Sequence, residues 1–352
     1  MTRARSVADT TKTLSVDGGT IKLDGNYPVG TDNVALGDTA LDSVESGAQY
    51  NVGIGHVAGT ALTTGDNNVA LGAFALTANT TASNNTAVGY LALYVNTTGA
   101  SNVAVGKGAA AANTTGADNV AIGMSALTSN TTGGRNVAVG NNALSTYNVT
   151  DSGLDYNVAV GYNACSALTT ANQTVSVGAF SLSVNTTGAN NTAVGYGALA
   201  LNTTASNNTG VGYLALGANT TGENNVATGN GPLDVNTTGS NNVAMGNNAL
   251  GSNTTASNNT AVGHAALNLN TTGTNNAFVG STAGDAITTG SENTGVGSAA
   301  LTDSTTASYN TGIGFLALGN ATSGHSNTSV GHGSMVTATT GYNNTAIGMT
   351  AG

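Results

Sequence analysis

Residues 85–106 read NTAVGYLALYVNTTGASNVAVG and contain the motif Asn-(Val/Thr)-Ala-(Val/Ile)-Gly twice, 17 residues apart. The motif recurs with small variations to the end of the chain, and 16 of its 18 intervals are 17 residues long. A period this strict predicts identical structural units stacked in a row. The motif glycines, which end each copy, are Gly37, Gly55, Gly72, Gly89, Gly106, Gly123, Gly140, Gly161, Gly178, Gly195, Gly212, Gly229, Gly246, Gly263, Gly280, Gly297, Gly314, Gly331 and Gly348.

The residues within one repeat favour strands and turns. Thr86, Ala87 and Val88 alternate in size with a period of two, which predicts a strand. A second extended stretch is expected around residues 92–95, and Asn-Thr-Thr-Gly at 96–99 is typical of a turn. Gly, Asn, Thr and Val all disfavour a helix interior. We therefore predict an all-β parallel β-solenoid of about 19 coils. At ~4.8 Å per coil it forms a rod of roughly 90 Å.

An asparagine recurs four residues before the motif glycine in 18 of the 19 copies, and Thr174 is the exception. Stacked asparagines can hydrogen-bond along a ladder, which satisfies amides that would otherwise be buried and unpaired. The predicted ladder consists of Asn33, Asn51, Asn68, Asn85, Asn102, Asn119, Asn136, Asn157, Asn191, Asn208, Asn225, Asn242, Asn259, Asn276, Asn293, Asn310, Asn327 and Asn344.

The composition argues against several classes of partner. Six Lys and Arg against 16 Asp and Glu give a net charge of −10 over 352 residues. Because clustered cations are missing, we expect no nucleic-acid binding and no attraction to anionic lipid. No apolar run approaches the ~20 residues of a membrane helix, and the first residues do not resemble a secretory signal. The one cysteine, Cys165, excludes an internal disulfide framework.

The core of a single coil is small. Burial of each aliphatic side chain contributes about 1.5–3 kcal/mol, whereas ordering each residue costs about 1.5 kcal/mol. We therefore expect a second buried face, formed by small residues such as Ala87 and Gly89, where neighbouring chains approach closely. The partners predicted by this argument are identical chains, most simply in a homotrimer.

The motif carries a resemblance to known families. Asn-Val-Ala-Val-Gly at 102–106, followed by Ala109, resembles the head repeat of trimeric autotransporter adhesins. In that family three chains form left-handed parallel β-rolls around one axis. The longer repeat with Asn-Thr-Thr-Gly blocks is similar to stretches in fibre proteins of tailed bacteriophages. The resemblance covers residues 33–352 and implies a virion component, a trimeric phage tail fibre or related appendage that supports host attachment.

The N-terminal segment differs from the repeats. Residues 1–30 lack the motif, and we divide the chain into this segment and a solenoid shaft over 31–352. The segment is predicted to attach the rod to a baseplate, tail or capsid protein, or to cap the first open edge of the solenoid. It contains four of the six cations, Arg3, Arg5, Lys12 and Lys22.

No pattern in the sequence indicates catalysis, so we expect no enzyme, no catalytic residues and no cofactor. His56, His264 and His332 each follow a motif glycine but are coils apart, and metal sites need converging ligands. We therefore predict no metal site. No nucleophile elbow is present between a strand and a helix.

The 21-residue interval between Gly140 and Gly161 contains an insertion, and solenoids place variable binding features in such loops. Its tyrosines could stack on sugars, which makes a host surface glycan a possible partner. The alternative is an ordinary solvated loop. The candidate contact residues are Tyr147, Asp151, Asp155 and Tyr156.

Two other patterns have more than one interpretation. Tyr196 and Tyr213 share a register with Tyr90 and Tyr162, and this row either contacts a host surface or stabilises the sheet. Ten Asn-Thr-Thr triplets match the glycosylation pattern, but we interpret them as turns.

Two other functional classes compete with the virion fibre. One is a cellular surface adhesin or a self-stacking filament, located outside the cell or at its surface. The other is an ice-binding solenoid, which we disfavour because Thr97 and Thr98 are expected to point to opposite faces.

Overall fold

The computed structural model describes residues 30–149, 155–337 and 339–352. Within these ranges every regular element is a three-residue β-strand, and there are 19 of them. The predicted attachment segment lies outside the described residues except for Gly30. The strands are β1 (Val34–Leu36), β2 (Val52–Ile54), β3 (Val69–Leu71), β4 (Thr86–Val88), β5 (Val103–Val105), β6 (Val120–Ile122), β7 (Val137–Val139), β8 (Val158–Val160), β9 (Val175–Val177), β10 (Thr192–Val194), β11 (Thr209–Val211), β12 (Val226–Thr228), β13 (Val243–Met245), β14 (Thr260–Val262), β15 (Ala277–Val279), β16 (Thr294–Val296), β17 (Thr311–Ile313), β18 (Thr328–Val330) and β19 (Thr345–Ile347).

Each strand pairs in parallel with the next strand along the chain, at the same position of the coil. Thr86 pairs with Val103 and Val88 with Val105, for example. The 21-residue interval keeps this register, because Val137 pairs with Val158. The predicted all-β parallel solenoid with a 17-residue period is thus confirmed.

The second strand predicted around residues 92–95 is wrong, because turns replace it. Leu91 and Leu93 have left-handed backbone, with φ of 58° and 48°. The N–H of Leu91 donates to the preceding coil at Ala73 O (3.2 Å), and that of Leu93 donates to the next coil at Ala109 O (3.0 Å). The turns therefore join neighbouring coils by hydrogen bonds without forming a strand.

The small residues of the motif face the interior of their own coil. Ala87 is buried together with Ala92 and Leu93, whereas Thr86 and Val88 on the same strand are half-buried and point outward. The expectation that Ala87 meets neighbouring chains is therefore wrong. At the equivalent position in another coil, a Cβ on Gly53 would lie 2.6 Å from Leu41 of the preceding coil and 3.2 Å from Ala58 O of its own coil, which favours a small residue.

The motif glycine is required by backbone geometry. Gly89 has a φ of +131°, which L side chains rarely adopt, and a Cβ on it would lie 2.6 Å from the carbonyl oxygen of Gly106. The other motif glycines of the described repeats have φ values between +129° and +144°. This position therefore fixes the close stacking of coils.

Candidate functional site

The predicted asparagine ladder is present as a chain of hydrogen bonds between coils. The backbone N–H of Asn102 donates to Asn85 Oδ1 at 3.0 Å, and Asn102 Nδ2 donates to Gly116 O at 2.9 Å. These side chains are buried from Asn33 to Asn327. Each amide oxygen thus accepts a backbone N–H that begins the next strand, which gives the ladder a structural role.

The structure contains a second asparagine ladder that the sequence did not predict. Asn96 Nδ2 donates to Gly99 O at 2.9 Å, and Asn113 Nδ2 donates to Asn96 Oδ1 at 2.8 Å. The signal was the Asn-Thr-Thr triplet, which we interpreted as a turn alone. Because these asparagines are buried, the folded chain does not present them for glycosylation. The members are Asn79, Asn96, Asn113, Asn130, Asn185, Asn202, Asn219, Asn236, Asn253 and Asn270.

The insertion between β7 and β8 places two of the predicted contact residues in the interior. Tyr147 occupies the position of a second-ladder asparagine and is buried, as is Asp155. Asp155 Oδ2 accepts the N–H of Gly134 at 2.7 Å. Burial, followed by the charge of Asp155, raises the pKa of Tyr147 well above its usual range. In this chain neither side chain is open to a ligand from solution.

The other two predicted contact residues are Tyr156 and Asp151. Tyr156 is exposed, and the Arg135 guanidinium carbon lies 5.6 Å from its ring centroid. Asp151 lies outside the described residues. The structure therefore does not bring the four predicted residues together as one surface.

The described residues contain no group of three His, Cys, Asp or Glu side chains that could hold a metal ion. His56, His264 and His332 are exposed on separate coils, and His56 lies 3.6 Å from Asp38. Burial raises the pKa of the Cys165 thiol to about 12, so it stays protonated at neutral pH. In the described part of the chain we find no helix long and apolar enough to span a membrane.

An uncharged stripe, formed mainly by aliphatic side chains and threonines, extends along the outside of all 19 strands. It is formed by the first and third residue of each strand, and no Asp, Glu, Lys, Arg or His occurs among them. We call these positions the outer stripe. Several of its large side chains are exposed in the single chain: Leu36, Leu71, Ile122, Val194, Met245, Val279, Val296, Ile313 and Ile347.

The aromatic row forms contacts between successive coils. Tyr162, Phe180, Tyr196 and Tyr213 lie on four adjacent coils, with ring centroids 5.3, 5.9 and 5.8 Å apart. We call these four residues the aromatic patch. The rings of Tyr196 and Tyr213 are stacked at 12°, and the other two contacts are edge-to-face. The rings thus support one another while remaining on the surface.

The fold defines the class of this chain as a parallel β-solenoid repeat protein. Neither a protein-family model nor a curated relative matches its sequence.

Proposed function

We propose that this chain is a structural fibre protein of a virus particle, a phage tail fibre or related appendage, which forms a trimeric rod supporting host attachment. The outer stripe carries the proposal. Large exposed apolar side chains that recur along one face of a protein mark an interaction site. In a single chain the stripe leaves residues such as Ile122 and Val194 in contact with water.

The shape of the outer stripe favours identical chains as its occupant. All strands pair in the same register, so the stripe is continuous from β1 to β19. A parallel copy presents the same uncharged surface over the same length. Three chains packed around one axis bury one such face each, and the resemblance of the repeat to trimeric families favours this number over two.

The internal bonding of the shaft suits a mechanical role. Backbone hydrogen bonds of strands and turns join each described coil to the next, and the two asparagine ladders add side-chain bonds over most of the coils. In the proposal this shaft holds the attachment apparatus at a fixed distance from the particle, and the segment over 1–30 docks to a baseplate, tail or capsid protein.

Sedimentation equilibrium of the purified chain tests the assembly. Three chains of 34.0 kDa give 3 × 34.0 = 102 kDa. A folded species of one chain mass at micromolar concentration would exclude the trimer. Immunogold microscopy then tests the location: labelled rods of fixed length on virions support the fibre, whereas filaments in multiples of one subunit length, or label on a cell envelope, contradict it.

A further inference from the structure

The aromatic patch brings four exposed aromatic rings together on the surface. The chain has 11 Tyr and 4 Phe, and four of these fifteen lie on coils that follow one another directly. Tyr162, Phe180, Tyr196 and Tyr213 are 49, 37, 52 and 51% exposed. Val184 and Leu201 on the same coils are exposed as well. Such a surface is typical of an interaction site.

The segment that carries the aromatic patch contains no charged side chain. Residues 156–222 contain no Asp, Glu, Lys, Arg or His. The other ring cluster, which includes His56 and Phe74, lies beside the Asp38 carboxylate and is not uncharged. On residues 156–222 a partner therefore finds no side chain with which to form an ion pair. Its contacts there are with aromatic rings and neutral polar groups.

The polar groups available at the patch are hydroxyls and amides. Three of its four rings are tyrosines, and Asn230 follows Tyr213 at the same position of the next coil, where it is exposed. In the described part of the chain no further ring stacks on Tyr213 beyond Tyr196. The side-chain amide of Asn230 thus occupies, on the next coil, the position that Tyr213 holds on its own coil.

We propose that the aromatic patch binds a neutral glycan. The C–H bonds of a sugar ring are attracted to the electron-rich face of an aromatic ring, and sugar hydroxyls pair with phenol and amide groups. A copy of this chain fits less well as the occupant, because the patch covers four coils whereas a parallel copy extends along all of them. The inference rests on the proposed attachment function, to which it adds a ligand class and a location on the shaft.

The test uses the full chain on an array of neutral hexose and N-acetylhexosamine oligosaccharides together with their sialylated and sulfated counterparts. Isothermal titration then measures the affinity for the strongest ligand. We expect binding to neutral members, about tenfold weaker in Tyr213→Ala and in Tyr196→Ala. The control is Tyr309→Ala, which removes an exposed tyrosine outside the patch and should leave the affinity unchanged.

Each other outcome overturns the inference. These outcomes are no binding, binding to anionic members alone, and equal affinity of wild type and both patch variants. A loss of trimer mass in the patch variants would instead assign the rings to contacts between copies. Circular dichroism and melting temperature of each variant separate loss of binding from loss of fold. A wild-type trimer that binds no glycan contradicts this inference while leaving the proposed fibre intact.

Discussion

The ring of Phe278 fills the space left by the missing side chain of Gly284: a Cβ on Gly284 would lie 2.6 Å from Phe278 Cε1. In most other coils the position of Phe278 is Ala, Gly or Ser, and the position of Gly284 is most often Leu. In this coil the two exchanges occur together, and the Phe278 ring lies where a side chain on Gly284 would otherwise be.

This pairing predicts strong coupling between two substitutions. Phe278→Ala alone should cost about 3–5 kcal/mol because it leaves a cavity. Gly284→Leu alone should cost at least about 1–3 kcal/mol through overpacking. The double variant restores the usual pair and should cost clearly less than the sum. Chemical denaturation of the four proteins measures the cycle, and additive costs would contradict the pairing.

The first asparagine ladder predicts a stabilising substitution. Thr174 has no amide oxygen to offer the N–H of Asn191, and its hydroxyl donates to Asn172 O at 3.3 Å. Thr174→Asn should extend the ladder and raise the free energy of unfolding by about 1 kcal/mol. The reverse change in an intact coil, Asn102→Thr, should lower it by about 1–3 kcal/mol. Denaturation midpoints of equal value in all three proteins would argue against the ladder as a source of stability.

A single charge on the outer stripe should dissociate the trimer. In the single chain Ile122 is exposed, so Ile122→Lys should leave the fold intact. At an interface the same lysine is buried without a partner, at a cost of several kcal/mol. We expect sedimentation to show single chains for Ile122→Lys and trimers for Thr115→Lys, an exposed position outside the stripe. Unchanged mass for Ile122→Lys would remove the stripe from the interface.

The buried thiol predicts loss of stability at alkaline pH. Cys165 has a pKa raised from 9.0 to about 12 by burial, so above pH 9 the unfolded chain releases a proton that the folded chain retains. Between about pH 9 and 12 the free energy of unfolding should therefore fall by up to ~1.4 kcal/mol per pH unit from this group. Below pH 9 the group should have no effect. Cys165→Ala should show a shallower decline, and parallel curves for the two proteins would contradict the assignment.

The sequence predicted the stacked 17-residue coil but not the path of the backbone within each coil. The period and the motif glycine fixed the stacking, because a Cβ at Gly89 would meet the next coil. The second strand failed because Ala92 and Leu93 are both buried, whereas successive side chains of a strand point to opposite faces. The recurrence of this Ala-Leu pair in successive repeats is the sequence signal for the turn.

The candidate site was likewise predictable only in part. The first asparagine ladder could be predicted because Asn85 and its equivalents precede a recognisable strand. Asn96 makes the turn bond expected of it, to Gly99 O, and also contacts its equivalents in other coils, and a single repeat does not distinguish these two uses. The burial of Tyr147 and Asp155 depends on how the insertion folds back, which no local pattern records.

Uniform register has a consequence for how such a gene can change. In the strands each coil offers the next one the same backbone donors and acceptors that it receives, as the pairs Thr86–Val103 and Val103–Val120 illustrate. Within the regular repeats, removal or duplication of a whole 17-residue block recreates an equivalent strand junction at both cut ends. Recombination between repeats can therefore shorten or lengthen the molecule in increments of roughly 4.8 Å without inventing a new contact.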